Sequence, residues 1–258
     1  MTRSAISPLR GCRWALTIRW ALVLLGAAPL SALAEDITAY AEESAPYHYT
    51  ESGATIGVGT EILQAACKVA KITCEIKIVP WARAYAVVTR TPNTLIFSIV
   101  RTPERESQFI WLAPAIKEAV WVWGRGDSPP VHNVADLAKV RIGVINNSSA
   151  AVFLRDAGVP ASSMDYANSV EGNFRKFSVR RVDFIVNTEL RMAAEQVRYK
   201  LPFNTVKVFK LRDATSYFAI NPQSDPVRTR ALQAALEEVR SGGALEQILN
   251  KYVPRTAN

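Results

Sequence analysis

From Asp36 onward the chain alternates short, β-branched apolar runs with amphipathic helical stretches, in two successive blocks. Nothing else in the sequence restricts the fold as much. A strand can return parallel to its predecessor only through a crossover, usually a helix, so this alternation implies α/β architecture with parallel strands. The first block reads DITAY (36–40) as a strand and GTEILQAACKVA (59–70) as a helix with Ile62, Ala66 and Val69 on one face. CEIKIVP (74–80) follows as a strand, WARAYAVVTR (81–90) as a helix, and LIFSIV (95–100) as a strand feeding a short helix that opens at Thr102. AVWVWG (119–124) is a strand ended by the loop GRGDSPP (124–130).

The second block reads ADLAKV (135–140) as a short helical piece, RIGVI (141–145) as a buried strand and NNSSAAVFLRDAG (146–158) as a capped helix. SVEGNFRKFSVR (169–180) is a helix capped by Ser169, VDFIVN (182–187) a strand and TELRMAAEQ (188–196) a helix. VKVFKL (206–211) and SYFAI (216–220) read as two further strands. Two helices close the chain: Leu232, Ala235, Leu236 and Val239 form one stripe, and Leu245, Ile248, Leu249 and Tyr252 another, on either side of Ser241-Gly242-Gly243. Two blocks joined by the 124–130 loop predict two lobes.

Residues 1–34 stand apart. Arg3, Arg10, Arg13 and Arg19 form a basic leader, WALVLLGAAPLSALA (20–34) an apolar core, and Ala32-Leu33-Ala34 a small-x-small cleavage pattern. The run is short for a span of about 20 residues and Pro29 interrupts it, so a cleaved secretory leader is expected rather than an anchor. Cys12 precedes the apolar core, so there is no lipobox, and no Arg-Arg pair marks a twin-arginine route. Without the leader's four arginines the net charge falls from +8 to +4, with no block of like sign. The basic balance is therefore partly a targeting feature, and a nucleic-acid partner is not expected. After cleavage only Cys67 and Cys74 remain. In an exported chain two cysteines read as one disulfide, stapling a helix end to the next strand; two free buried thiols are the alternative.

Catalytic motifs are scarce. HExxH, P-loop, G-x-S-x-G and GxGxxG patterns are absent, and GVG at 57–59 reads as a turn. His48 and His132 are far apart without Cys, Asp or Glu at ligand spacing, so no metal and no cofactor are expected. The chemical lead is LIFSIVRTPERE (95–106). Thr102-Pro103-Glu104 has the form of a helix start, yet Arg101 and Arg105 flank it, where a cation opposes the helix dipole. The arrangement is unfavourable empty and favourable with an anion, which a planar guanidinium grips in two-pronged fashion. Ser98 adds a donor at the strand end. The alternative is that Arg105 pairs with Glu104 or Glu106 on the surface. Asn146-Asn147-Ser148-Ser149 is a second donor-rich turn, or simply an N-cap. Trp81 and Tyr47 are corner aromatics that wall a pocket or fill core.

Taken in order, APY (45–47), Gly57 to Leu63, Cys67 with Cys74, SIVRTPER (98–105), DLAKVRIGV (136–144), RVDFIV (181–186) and the ending YFAI…ALEEVRSGGALEQILNKYV resemble the periplasmic substrate-binding proteins of polar amino-acid ABC transporters, solute-binding protein family 3. The resemblance covers essentially 36–253. It implies a type II periplasmic-binding-protein-like fold of two α/β lobes, 35–117 plus 212–258 and 118–211, following a signal peptide at 1–34. Two crossovers, near 115–120 and 208–216, join lobes that close on ligand like a trap, and the C-terminal helices return to the first lobe. By the same resemblance Arg105 grips the ligand α-carboxylate, Ser98 and Ser149 touch that carboxylate, and Trp81 lines the side-chain pocket.

The departures are specific. The family's second-lobe Asp for the α-ammonium corresponds to Thr188, with Asn187 and Glu189 beside it; Glu189 is the substitute after a one-residue shift. Ser44 stands where an aromatic often stacks on ligand, with Tyr47 near. Gly59 replaces an Asp at the first helix start, Asn147 replaces a turn glycine, and Asp183 reads as structural. The expected ligand-binding set is thus Tyr47, Trp81, Ser98, Arg105, Ser149, Thr188 and Glu189. The expected protein is a periplasmic monomer, not an enzyme, that delivers a small carboxylate-bearing solute to an inner-membrane ABC permease. The competing expectations are a cyclohexadienyl dehydratase-like enzyme using Glu42, Glu43 or Glu189, and a ligand sensor.

Overall fold

The computed structural model describes residues 36–252, together with Met1 and Thr2. Apart from those two residues, the secretory leader read at 1–34 lies outside the described residues. In chain order the elements are β1 (Ile37–Ala41), a hairpin of β2 (Tyr49–Glu51) and β3 (Ala54–Ile56), α1 (Val58–Ala70), β4 (Cys74–Ile78), α2 (Trp81–Val88), β5 (Thr94–Val100) and a 3-10 turn (Pro103–Gln108). There follow β6 (Ile110–Arg125), α3 (Val134–Leu137), β7 (Ile142–Ile145), α4 (Ser149–Asp156), a short 3-10 turn (Ala161–Ser163), β8 (Met164–Ala167), α5 (Val170–Ser178), β9 (Phe184–Thr188), α6 (Glu189–Arg198), β10 (Thr205–Ile220), α7 (Pro226–Ser241) and α8 (Ala244–Tyr252).

One eight-stranded sheet carries the fold, in the order β4-β1-β5-β10-β6-β9-β7-β8. β1 pairs in parallel with β4 and β5, and β7 in parallel with β8 and β9. Between these parallel halves run β10 and β6, antiparallel to each other along their whole length. These two strands are the crossovers. The lobe bounds expected at 117/118 and 211/212 fall within them, beside the pairing of Ala119 with Asp213.

The elements form where local chemistry asks for them. α5 is capped by the Ser169 hydroxyl, which accepts from Gly172 N, and α7 by Asp225, which accepts from Val227 N and Arg228 N with Pro226 in the first turn. α1 ends at Lys71 in the left-handed region, φ 55°. Cys67 and Cys74 are disulfide-bonded, joining α1 to β4 with Cα atoms 6.2 Å apart. Asp183 is structural: its carboxylate accepts from Arg141 N at 2.9 Å and ties the start of β9 to β7.

Four features differ from the sequence reading. VKVFKL and SYFAI belong to the single strand β10, which crosses from one half to the other through bulges rather than turning. β6 begins at Ile110 and continues through Pro114. β8 and the β2–β3 hairpin went unread. The segment after Thr102 is a 3-10 turn, without a side-chain cap.

One hydrophobic core packs α1, α7 and α8 against the first half through Leu63, Phe97, Phe218, Leu232 and Leu236, and another fills the second half around Leu137, Ile142, Phe153 and Phe184. A third cluster runs through both, from Trp81, Ile96 and Phe109 to Phe174, Phe177 and Ile185. Each large apolar side chain so buried contributes about 1.5–3 kcal/mol.

Candidate functional site

Every parallel strand delivers its carboxyl end to one cavity. From the first half β1 leads to Glu42, Ser44, Tyr47 and His48, β4 to Trp81, and β5 to Ser98, Val100 and Arg105. From the second half β7 leads to Ser148 and Ser149, β8 to Val170 and Asn173, and β9 to Asn187, Thr188 and Arg191. The crossovers supply the floor through Ile116, Glu118, Ala214 and Ser216. The cavity holds about 130 Å³ for the centres of water-sized molecules. A crevice beyond strand carboxyl ends, with helix starts around it, is where open α/β sheets receive ligands.

Arg105 is buried, 5% exposed, as the third residue of the 3-10 turn. Its guanidinium lies over the rings of Trp81 (5.6 Å) and Tyr85 (5.5 Å). It donates from Nη1 to Val100 O (3.0 Å) and from Nη2 to Asn147 O (2.6 Å) in the opposite half. These bonds fix the plane of the guanidinium while using part of its five-donor fork. Burial draws its pKa down from the ordinary value, yet an arginine so shifted stays charged. The surface alternative does not hold: Glu106 pairs instead with Arg101, which covers Trp111 at 5.5 Å.

The turn opposite is built from Asn147, which holds the left-handed conformation (φ 59°) that a glycine would adopt there. Its carbonyl also accepts from Trp81 Nε1 at 2.9 Å. Ser148 is the N-cap residue of α4, but its hydroxyl makes no capping bond and, buried, has no hydrogen-bond partner among the described residues. The same holds for His48 Nε2, Asn173 Oδ1 and Arg191 Nε, all from cavity-lining residues. An unsatisfied buried polar atom costs about 1–3 kcal/mol. Four such atoms set in the walls of one cavity are polar capacity that the protein itself leaves unmet.

The early loop is tightly held. Ser44 O accepts from Tyr47 N and His48 N, and Gly57 approaches so closely that a Cβ there would lie 2.5 Å from Tyr47 O, at φ 122°. Tyr47 Oη donates to Glu118 Oε2 at 2.5 Å and lies 2.6 Å from Thr188 Oγ1. Burial, then the Glu118 charge, pushes the Tyr47 hydroxyl well above its ordinary pKa, so it keeps its proton. His48 Nδ1 donates to the Glu42 carbonyl, and burial lowers its pKa to about 4, so the imidazole is neutral. Glu42 Oε1 and Arg191 Nη2 are 3.4 Å apart; burial raises the Glu42 pKa, against that attraction.

Of the residues expected from sequence, the cavity brings together Tyr47, Trp81, Ser98, Arg105, Ser149 and Thr188. Ser98 sits at φ 57° as the bulged residue of β5, between Phe97 and Ile99, which pair with Phe218 and Tyr217 of β10. It does not bring in Glu189. That side chain is the first residue of α6, half-exposed, and pairs with Lys207 at 2.9 Å, because the helix turns the position after the Thr188 cap outward. Glu118, Asn173 and Arg191 went unread, while Glu42, His48 and Ser148 entered only as a catalytic alternative, a rejected metal ligand and part of a donor-rich turn. Arg191 carried the same signal as Arg105, a cation in the first turn of a helix. Glu118 carried none: Lys117-Glu118 reads as a solvated pair. Among the described residues no cluster of three or more His, Cys, Asp or Glu could hold a metal ion, and no helix is long and apolar enough to cross a membrane.

The model of a family described as bacterial extracellular solute-binding proteins, family 3, matches residues 37–255. No curated protein matches the sequence. Among solved structures, a histidine kinase sensor domain with similarity to periplasmic binding proteins superposes with a TM-score of 0.76 at 17% identity, over 85% of this chain and 96% of its own. The arginine-, lysine-, histidine-binding protein ArtJ from Geobacillus stearothermophilus gives 0.75 at 18% identity, over 87% and 97%. AbpA of an amino acid ABC transporter from Streptococcus pneumoniae, bound to L-arginine, gives 0.73 at 16% identity, over 84% and 93%. At these identities the likeness is one of fold, two-lobed and periplasmic-binding-protein-like.

Proposed function

The chain belongs to the bacterial extracellular solute-binding proteins of family 3, and from that premise we propose that it captures a small carboxylate-bearing solute, an amino acid or a relative, between its two halves and delivers it to an inner-membrane ABC permease. The observation that carries the reading is Arg105: a buried guanidinium, fixed by Val100 O and Asn147 O and flanked by two aromatic rings, in a cavity lined with unused polar atoms from both halves. A carboxylate fits the planar fork, and a low-dielectric setting strengthens the pairing. Ser98 and Ser149 supply hydroxyls for the same carboxylate, Trp81 walls the solute, and Tyr47 and Thr188 line its far side. The lobes are 35–117 plus 212–258 and 118–211, and the protein acts as a periplasmic monomer after loss of residues 1–34. Amino-acid binding by ArtJ and AbpA supports the solute class.

The reading is one of binding without turnover. Of the carboxyls that a catalytic alternative would draw on, Glu42 is engaged with Arg191, Glu43 with Arg198 and Glu189 with Lys207. A sensor role has support from the kinase sensor domain of like fold; it would use the same cavity with a membrane receptor as partner, and co-purification separates the two.

A thermal-shift screen with amino acids, opines and small carboxylates tests the proposal, since a ligand that binds only the folded state raises Tm by linkage. Removing one side of a buried charge pair costs about 2–5 kcal/mol, so Arg105→Ala is expected to weaken the best hit by roughly thirtyfold or more. Equal binding by that variant would refute the carboxylate role.

A further inference from the structure

The charges around the cavity do not all find partners. Glu42 and Arg191 face each other and offset one another. His48 is neutral. Among the described residues Arg105 forms no ion pair, and the proposed solute carboxylate answers it. Glu118 remains. It projects from the middle of β6 into the cavity, beside the Thr188 cap of α6, and among the described residues it enters no ion pair. Arg191 acts on it only through space, its guanidinium being turned to Glu42. Burial raises the Glu118 pKa, against the hydroxyls of Tyr47 and Thr188 and the more distant charge of Arg191. Tyr47 donates to Oε2, and Thr188 in turn holds Tyr47 while capping α6 through Arg191 N. This chain of hydroxyls joins three elements and fixes one carboxyl oxygen without neutralising it. A partly buried carboxylate with no ion-pair partner carries a desolvation cost, and an N–H cation arriving in the cavity offsets it.

We infer that Glu118 is the seat for a cationic group of the solute, an ammonium or comparable N–H cation, so that the cavity selects dipolar solutes whose anionic end meets Arg105. The inference rests on the solute-binding reading and adds to it the residue that reads the positive end. A single carboxylate backed by hydroxyls suits a monovalent organic cation. Glu118 lies on a crossover strand, so the contact also ties the solute to the segment about which the halves move.

The test compares solutes matched except for the amino group: L-leucine with 4-methylpentanoate, L-phenylalanine with 3-phenylpropionate, and L-glutamine with its des-amino acid. L-arginine and L-lysine complete the panel. Native protein is expected to be stabilised more by the amino-bearing member of a pair. In Glu118→Gln, which keeps the shape and can still accept from Tyr47, titration calorimetry is expected to read at least a tenfold weaker affinity for that member, with the des-amino acid unchanged or tighter. Equal stabilisation of native protein by both members of each pair, or undiminished binding of the amino-bearing solute by the variant, overturns the assignment and leaves the solute-binding reading standing. A panel that shifts native protein nowhere counts against both. Should Glu118→Gln not fold, the discrimination shown by native protein alone decides.

Discussion

Glu195 shows how a single side chain can carry a pH dependence for this molecule. It lies on α6, wholly buried, and its Oε1 accepts from Ala45 N of the first half at 2.8 Å while Oε2 has no partner among the described residues. Burial pushes its pKa from 4.5 to about 7, opposed by Arg191, the Ala45 bond and Arg198 and reinforced by Glu42. A raised folded pKa means that the native state holds the proton more tightly. Its stabilising contribution is full below pH 4.5 and is lost as pH rises through about 7. His48, lowered to about 4, works the other way: its contribution is present above pH 6.5 and lost as pH falls through about 4. Glu195→Gln is expected to be more stable than native protein at pH 8 and to lose that advantage below pH 5. Denaturant titrations at both pH values measure the difference, in which His48 cancels. A variant no more stable than native at pH 8 would show that Glu195 meets no burial penalty. Single residues were legible in the sequence only where they broke a local rule. Arg105 was visible because a cation opposed a helix start, and Arg191 breaks the same rule at the start of α6. Glu118 breaks none: beside Lys117 on a strand it looks solvated, and only the fold, bringing Tyr47 and Thr188 to it, makes it half-buried.

At the scale of elements, the disulfide between α1 and β4 gives the plainest expectation. The loop from Cys67 to Cys74 is short, and closing a loop of about 8 residues in the unfolded chain is worth about 2.5 kcal/mol. In a chain of this size about 1 kcal/mol corresponds to ~2–4 °C in Tm. The double variant Cys67→Ser with Cys74→Ser is therefore expected to melt some 5–10 °C lower by calorimetry, with the cavity unchanged; an unchanged Tm would mean that the unfolded chain gains nothing from release of the loop. Elements such as β5 and α5 could be read because each buries one face, so periodicity and caps agree. The crossovers could not. Between Lys207 and Ala214 no side chain of β10 is fully buried, because the strand spans from one core to the other and Val208, Phe209 and Leu211 only edge the second. Its charges Lys210, Arg212 and Asp213 looked like a loop between two strands. Pro114 hid the first half of β6 in the same way. β8 is four residues at the sheet edge, too short for alternation to register.

For the whole molecule, the two halves meet through bonds spread around the cavity: Arg105 and Trp81 to Asn147 O, Tyr47 to Thr188, Glu42 to Arg191, Glu43 to Arg198, and Ala45 N to Glu195. They surround polar atoms that lack partners of their own. A solute can favour closure only by binding the closed arrangement better than the open one, and these unused atoms from both halves are what would give that difference. The account then makes one demand above others: the cavity takes up a small carboxylate-bearing molecule and returns it unchanged. The direct measurement is mass spectrometry of the small molecules released by denaturing protein purified natively from its own cells. The account predicts one dominant species at near-stoichiometric yield that bears a carboxylate and an N–H cation, is recovered intact after rebinding, and is absent from Arg105→Ala. Recovery of a solute without a carboxylate, or conversion of the rebound molecule into another, would contradict it.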